Sequence, residues 1–197
     1  MGIRILLAGI IGGLLTFAMG AVNHMVFEFG DRSIHRLPDE EAFQAAIRSQ
    51  NLQHGMYGFP RPAERPRDDA AMNAFNEKYK QGPNGMLIVG ATGEDLMPPH
   101  HLIAEAVTNI VFCLLAAWVV SRFDPRCGFI ARWLAVVAIG LMAWLSIPAS
   151  YAIWYRFHSS FIHDELFGSL IETAVAGLAI AAIVRPKLSA APANQPV

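Results

Sequence analysis

The sequence predicts an all-α membrane protein, a four-transmembrane-helix bundle with a small α+β extramembrane cap. Three observations predict it. The 197 residues are 54% hydrophobic and 16% charged, against roughly 25% charged in soluble domains. Residues 3–27, 101–121, 129–155 and 161–184 are each apolar over the ~20 residues that a bilayer crossing takes. Between the first two of these lies a long stretch rich in charge, Pro and Gly. The expected organisation is a first transmembrane helix in 1–27, an extracytoplasmic cap in 28–99, three further helices in 100–187 and a disordered Pro- and Ala-rich tail in 188–197.

The first apolar segment could be read as a signal peptide, with Arg4 ahead of the apolar run and Ala18-Met19-Gly20 as a cleavage site. Its apolar stretch continues to Phe27, longer than such a leader needs, so a retained helix is expected. Gly9 and Gly13 in this helix form a GxxxG pair, which lets helix backbones approach closely. The fourth helix is rich in Ala and Gly from Ala174 to Ala182. These two surfaces are expected to pack together, or to serve self-association or contact with other membrane proteins.

Pro38 followed by Asp39, Glu40 and Glu41 reads as a helix start, with acids at the positive end of the dipole. A second cap helix is expected over 68–80, where Met72, Phe75 and Tyr79 share a face. Residues 55–60 and 85–91 read as strands. Ala91-Thr92-Gly93-Glu94 could turn a hairpin back into 95–97. Pro98-Pro99 closes the cap, and Asp124-Pro125 breaks the chain between the second and third spans. Trp118 and Trp133 near one interface, and Tyr151, Trp154 and Tyr155 near the other, read as aromatic belts.

Arg4, Arg122, Arg126, Arg132, Arg185 and Lys187 gather at one side, whereas the loop between the third and fourth spans carries only Arg156. Positive residues in short loops stay inside. Both termini are therefore expected in the cytoplasm, with 28–99 in a periplasm.

The chemistry-bearing signal is a polar stripe in the second span: His101, Glu105, Asn109 and Cys113, spaced four apart and hence on one helix face. Glu172 lies in the fourth span. A carboxylate inside hydrocarbon is costly and marks a functional site by default. Counting about 1.5 Å per residue from the Arg anchors places Thr16, Asn109, Trp144, Ser146 and Glu172 in one layer, roughly 18–21 Å up. Glu105 and Ser169 fall above it, and His24, His101, Glu165, His158 and His163 near the outer interface.

Three readings fit these residues. In the first, Glu172 bonds to Asn109, Thr16 or Ser146 as glue between helices, each bond contributing about 0.6–2 kcal/mol. In the second, His24, His101 and Glu105 converge with His158 or His163 on a transition metal, or His24 and His101 hold a haem. In the third, Glu105 and Glu172 carry protons or ions, or anchor a lipid-soluble ligand such as a quinone. The ligand-binding set is therefore His24, His101, Glu105, Asn109 and Glu172. There is no P-loop, dinucleotide fingerprint or nucleophile elbow, so no catalytic residue is assigned. No basic block suggests nucleic acid at a net charge of −1. Cys113 and Cys127 form no CxxC motif.

Gly20-Ala21-Val22-Asn23-His24-Met25-Val26-Phe27, then Leu37-Pro38-Asp39-Glu40, resembles a family of small uncharacterised bacterial membrane proteins. Glu77-Lys78-Tyr79-Lys80-Gln81-Gly82-Pro83 and Trp154-Tyr155-Arg156-Phe157 carry the same resemblance. It covers most of the chain and implies four helices in the bacterial inner membrane, with an extracytoplasmic insertion between the first two. It transfers no catalytic residues. The role expected from the sequence is an accessory subunit packing against other membrane proteins; the alternative is a metal-, haem- or quinone-binding membrane protein.

Overall fold

A computed structural model describes residues 1–185; Lys187 and the tail expected at 188–197 lie outside the described residues. In chain order the elements are α1 (Gly2–Met25), α2 (Glu40–Ser49), β1 (Gly55–Phe59), α3 (Asp69–Gln81), β2 (Gly85–Val89), α4 (Pro99–Val120), α5 (Phe129–Ser146), α6 (Pro148–Tyr155) and α7 (Ser159–Ile183), with a 3-10 turn at Asp31–Ser33. The chain forms two units, one of Met1–Ile34 with the chain from Met97 onward, the other of His35–Leu96.

The first unit holds four helical segments long and apolar enough to cross a membrane: α1, α4, α5 continued by α6, and α7. The third of them breaks at Ile147 and Pro148. Pro148 has no N–H to extend the helical ladder, and Ile147, bonded to the Ala143 carbonyl at 3.2 Å, closes α5. The chain leaves α6 through Arg156 in the left-handed conformation (φ 59°), and His158 starts α7.

Glycine decides how the helices meet. A Cβ on Gly13 would lie 2.4 Å from the Ile110 Cα, and one on Gly9 2.9 Å from the Leu114 Cα. The GxxxG pair is therefore buried against α4, not against the last helix. Gly12, on the neighbouring face, meets both Cys113 of α4 and Ile180 of α7, so α1 sits between the two. Gly177 of α7 packs under Trp133 and Val136 of α5, and Gly140 of α5 against Thr173 of α7. Gly9 and Gly13 are thus consumed inside the chain, as are Ala176, Gly177 and Ala181 of α7. These small residues serve packing within the chain, and α1 and the last helix do pack together as expected.

The dry core lies where the start of α1, the end of α4, the start of α5 and the end of α7 meet. It is built of Ala8, Cys113, Ala116, Ala117, Val120, Val136, Ala176, Ile180 and Val184. Arg132 reaches into this end, donating from Nε and Nη2 to the Ala181 carbonyl at 3.2 Å each and from Nη1 to the Cys127 carbonyl. It caps the last turn of α7, where the Ala182 carbonyl in turn accepts from Arg185 Nε at 3.1 Å. Two indoles clip α5 to α7: Trp133 Nε1 donates to the Ala174 carbonyl (2.9 Å) and Trp144 Nε1 to the Ile162 carbonyl (3.1 Å). Trp133 is therefore a helix-to-helix contact and not a free belt residue.

The second unit pairs β1 with β2 antiparallel, from Gly55 opposite Val89 to Phe59 opposite Gly85. Its helices start where carboxylates cap them: Asp39 accepts from the Ala42 N–H at 2.9 Å and Asp68 from the Ala71 N–H at 2.7 Å. Phe75 and Tyr79 lie on one face, ring centroids 6.1 Å apart. The third strand expected at 95–97 is not formed; after Gly93 (φ 85°) the chain runs irregularly to Pro98. Asp95 is a poor strand former, and prolines cannot donate to a ladder. None of residues 35–96, all of them described, is buried, so this unit holds its shape by caps, strand pairing and half-buried aromatics.

Candidate functional site

At the opposite end of the first unit from the dry core, α1, α4 and α7 enclose a cavity of about 490 Å³. Its apolar wall includes Phe17, Ala21 and Met25 of α1, Leu102 of α4, and Phe29 and Met97 of the adjoining segments. Its polar wall includes Asn23 and His24 of α1, Glu105 and Asn109 of α4, and Asp164, Glu165, Ser169 and Glu172 of α7. Helical spacing places these groups: Glu105 and Asn109 are one turn apart, and so are Asp164, Gly168 and Glu172 in succession.

Glu172 is held by a residue the sequence reading passed over. Asn23, 1% exposed, donates from Nδ2 to Glu172 Oε1 at 2.8 Å, and more weakly to the Gly168 carbonyl at 3.5 Å. The partners expected for Glu172 are engaged elsewhere. Asn109 donates to Glu105 Oε1 at 3.1 Å on its own helix. Thr16 donates to the Gly12 carbonyl at 3.0 Å and touches Cys113 Sγ at 3.5 Å. Ser146 is exposed near the end of α5. The correction has a simple cause: equal height does not fix azimuth, and α1 presents Asn23, not Thr16, to the outer half of α7.

Asp164 is the second residue not singled out. It is 2% exposed and fully engaged. Arg32 Nε donates to its two oxygens at 3.2 and 3.0 Å and Arg32 Nη2 adds a shorter contact. The Gly30 N–H donates to Oδ2 at 3.1 Å and the Ser33 hydroxyl at 3.4 Å. Gly30 has φ 86°, a conformation that suits glycine and turns its N–H toward the carboxylate. Arg32 is half exposed and stacks over Phe29, 5.0 Å from the ring centroid. The hydrogen-bonded Asp164 carboxylate raises the Arg32 pKa further above its ordinary value. This arrangement fastens the segment after α1 onto α7. Its sequence signal was available: Asp164, Gly168 and Glu172 lie on one face of α7, and Arg32 is a basic residue shortly after the first span.

Of the ligand set expected from the sequence, His24, Glu105, Asn109 and Glu172 line the cavity, and His101 does not. His101 is exposed and stacks edge-on against His100, centroids 4.4 Å apart. His158 is a helix cap: its Nδ1 accepts from the Ser160 N–H at 3.4 Å and contacts the Ser160 hydroxyl at 2.7 Å. His163 is exposed. Among the described residues, no three His, Cys, Asp or Glu side chains lie close enough together to hold a metal ion. The expected set of His24, His101, Glu105, His158 and His163 is thus not assembled: His24 and Glu105 line the cavity, His101 and His163 are exposed, and His158 is taken up as a cap.

The hydrogen-bonding character of the cavity is one-sided. His24 Nδ1 lies 2.9 Å from the Phe29 carbonyl; a carbonyl only accepts, so Nδ1 carries the proton, and in the neutral ring Nε2 is an acceptor. Ser169 donates to the Gly140 carbonyl at 3.3 Å. The amides of Asn23 and Asn109 donate to carboxylates. Asn23 Oδ1 is buried and has no hydrogen-bond partner among the described residues. Asn109 keeps a second amide N–H beside these acceptors.

Compared with protein-family models, curated proteins and solved structures, the chain matches none.

Proposed function

We propose that this chain is an integral membrane protein that binds a small amphiphilic ligand in the cavity between α1, α4 and α7. The observation that carries this reading is the cavity itself: about 490 Å³, within the 300–1,000 Å³ range of small-molecule sites, with an apolar wall opposite a few convergent polar groups. Three of those groups, Glu105, Glu165 and Glu172, are carboxylates on membrane-spanning helices, where ionisable groups are expensive and kept for a use. Packing alone would be served more cheaply by the small apolar residues of the other end.

The location proposed is a bacterial inner membrane, with both termini cytoplasmic and residues 28–99 periplasmic. Supporting it is the placement of Arg4, Arg122 and Arg126 at the dry end of the helices. The cavity then opens toward the periplasmic half of the bilayer. Ligand binding is preferred over the accessory role because Gly9, Gly13, Ala176, Gly177 and Ala181, the heart of the surfaces offered for docking, are buried within the chain.

A hydrophobic carbodiimide tests this reading. Mass spectrometry of the treated full chain in nanodiscs should find adducts on Glu105, Glu165 or Glu172, and Ala21→Trp, which fills the cavity, should suppress them. Absence of adducts on all three would overturn the reading.

A further inference from the structure

We infer that the unit of residues 35–96 joins two copies of this chain, β2 of one adding antiparallel to β2 of the other to make a four-stranded sheet. The inference is independent of the cavity. It begins with an open edge. β2 bonds to β1 along one side only, and the backbone groups on its other side have no protein partner among the described residues. Such an edge is a template for another strand, and proteins usually blunt it with charge, proline or a bulge. β2 (Gly85–Val89) has no charge and no proline, and its register with β1 is unbroken. A sheet of two strands is marginal alone, and no residue of this unit is buried.

The strand is complementary to itself. A pair centred on Leu87 uses all five residues and sets Leu87 opposite its own copy, with Met86 opposite the partner's Ile88. Opposed residues share a face. Ile88 (63% exposed) and its neighbour on β1, Met56 (64% exposed), then continue across the junction as one apolar strip. Charge selects the occupant and its direction. Lys78 and Lys80 precede β2, Glu94 and Asp95 follow it, and all four are exposed. Antiparallel pairing brings the basic end of each copy beside the acidic end of the other, whereas parallel pairing would set like charges together. An anionic lipid surface would be repelled by the acidic end. A five-residue pairing is smaller than a standard stable interface, but the membrane-length helices confine both copies to one bilayer in one orientation, as a two-fold dimer requires.

The test is oxidative cross-linking of the full chain in liposomes, in a Cys127→Ser background that leaves only the buried Cys113. Opposed residues of such a pair have Cβ atoms about 4.5–5.5 Å apart, so Leu87→Cys should form a disulfide-linked dimer. It should do so at least about tenfold faster than Met72→Cys, an exposed residue of α3 that reports random collision. Glu94→Lys with Asp95→Lys should reduce the Leu87→Cys dimer severalfold, and adding Lys78→Glu with Lys80→Glu should restore it. Should Leu87→Cys fail to fold, a mixture of Met86→Cys and Ile88→Cys chains reads the same register from the exposed face. Cross-linking no faster than that of Met72→Cys would overturn the proposal, as would a dimer yield indifferent to charge reversal.

Discussion

Asn23, near the end of the first span, donates a 2.8 Å hydrogen bond to Glu172 in the middle of the last, across 149 residues of sequence. The bond ties α1 to α7 at the floor of the polar cavity, and it aims the Glu172 carboxylate. It also leaves Asn23 Oδ1 buried and unpaired among the described residues.

That bond should be measurable as a coupling energy. Asn23→Leu is expected to destabilise the protein, and to do so less in a Glu172→Leu background. A double-mutant cycle of unfolding in mixed micelles should return a coupling of about 0.6–2 kcal/mol. A coupling of zero would mean that the two side chains act independently.

The α1–α4 seam predicts a steep penalty for a single methyl. Gly13→Ala would set a Cβ 2.4 Å from the Ile110 backbone, and the helices must separate to admit it. Overpacking of this kind costs about 1–3 kcal/mol. Gly2→Ala, with nothing within 4 Å, should leave the unfolding midpoint unchanged, and equal effects at the two sites would contradict the packing described.

Arg32 and Asp164 predict the behaviour of the segment after α1. Arg32→Ala leaves the 2% exposed carboxylate without its bidentate partner. Hydrogen exchange at the Gly30 amide, which donates to the same carboxylate, should then speed up markedly. Arg32→Lys should recover only part of the protection, because an ammonium cannot reproduce the guanidinium fork. Unchanged exchange in Arg32→Ala would show that the segment is held by other contacts.

The two cysteines report topology. Cys113 is fully buried and Cys127 half-buried in the α4–α5 turn. A membrane-impermeant maleimide should label Cys127 in inverted vesicles and not in intact cells, and Cys113 in neither. Labelling of Cys127 from outside intact cells would reverse the proposed orientation.

Much of the architecture was legible because its signals are local. Apolar runs of bilayer length marked the four spans, and Pro38 and Asp68 marked two helix starts to within two residues. The break at Pro148 was also written in the chain, yet the apolar run across it hides the change of direction. The pairing of β1 with β2 was harder: both strands were visible, but the choice between a local hairpin into 95–97 and a long-range partner is made by tertiary contacts. The site divides in the same way. Glu105, Asn109 and Glu172 stood out because polar groups in apolar helices are rare. Asn23 and Asp164 were passed over because each sits beside a residue, His24 or Glu165, that looked more reactive.

The sequence by itself determined that this chain has four membrane-length helices, which of their residues are polar, and at which end of the helices those residues lie. Hydrophobic runs and a fixed rise per residue carry that information along one axis. Only the tertiary structure decided which polar residues face each other. Rotation of each helix about its axis is set by close packing, here by Gly9 and Gly13 against α4 and by Gly140 and Gly177 between α5 and α7. Those contacts turn Asn23 toward Glu172 and leave His101 outside, and so they gather carboxylates around one cavity where the sequence alone suggested a ring of histidines.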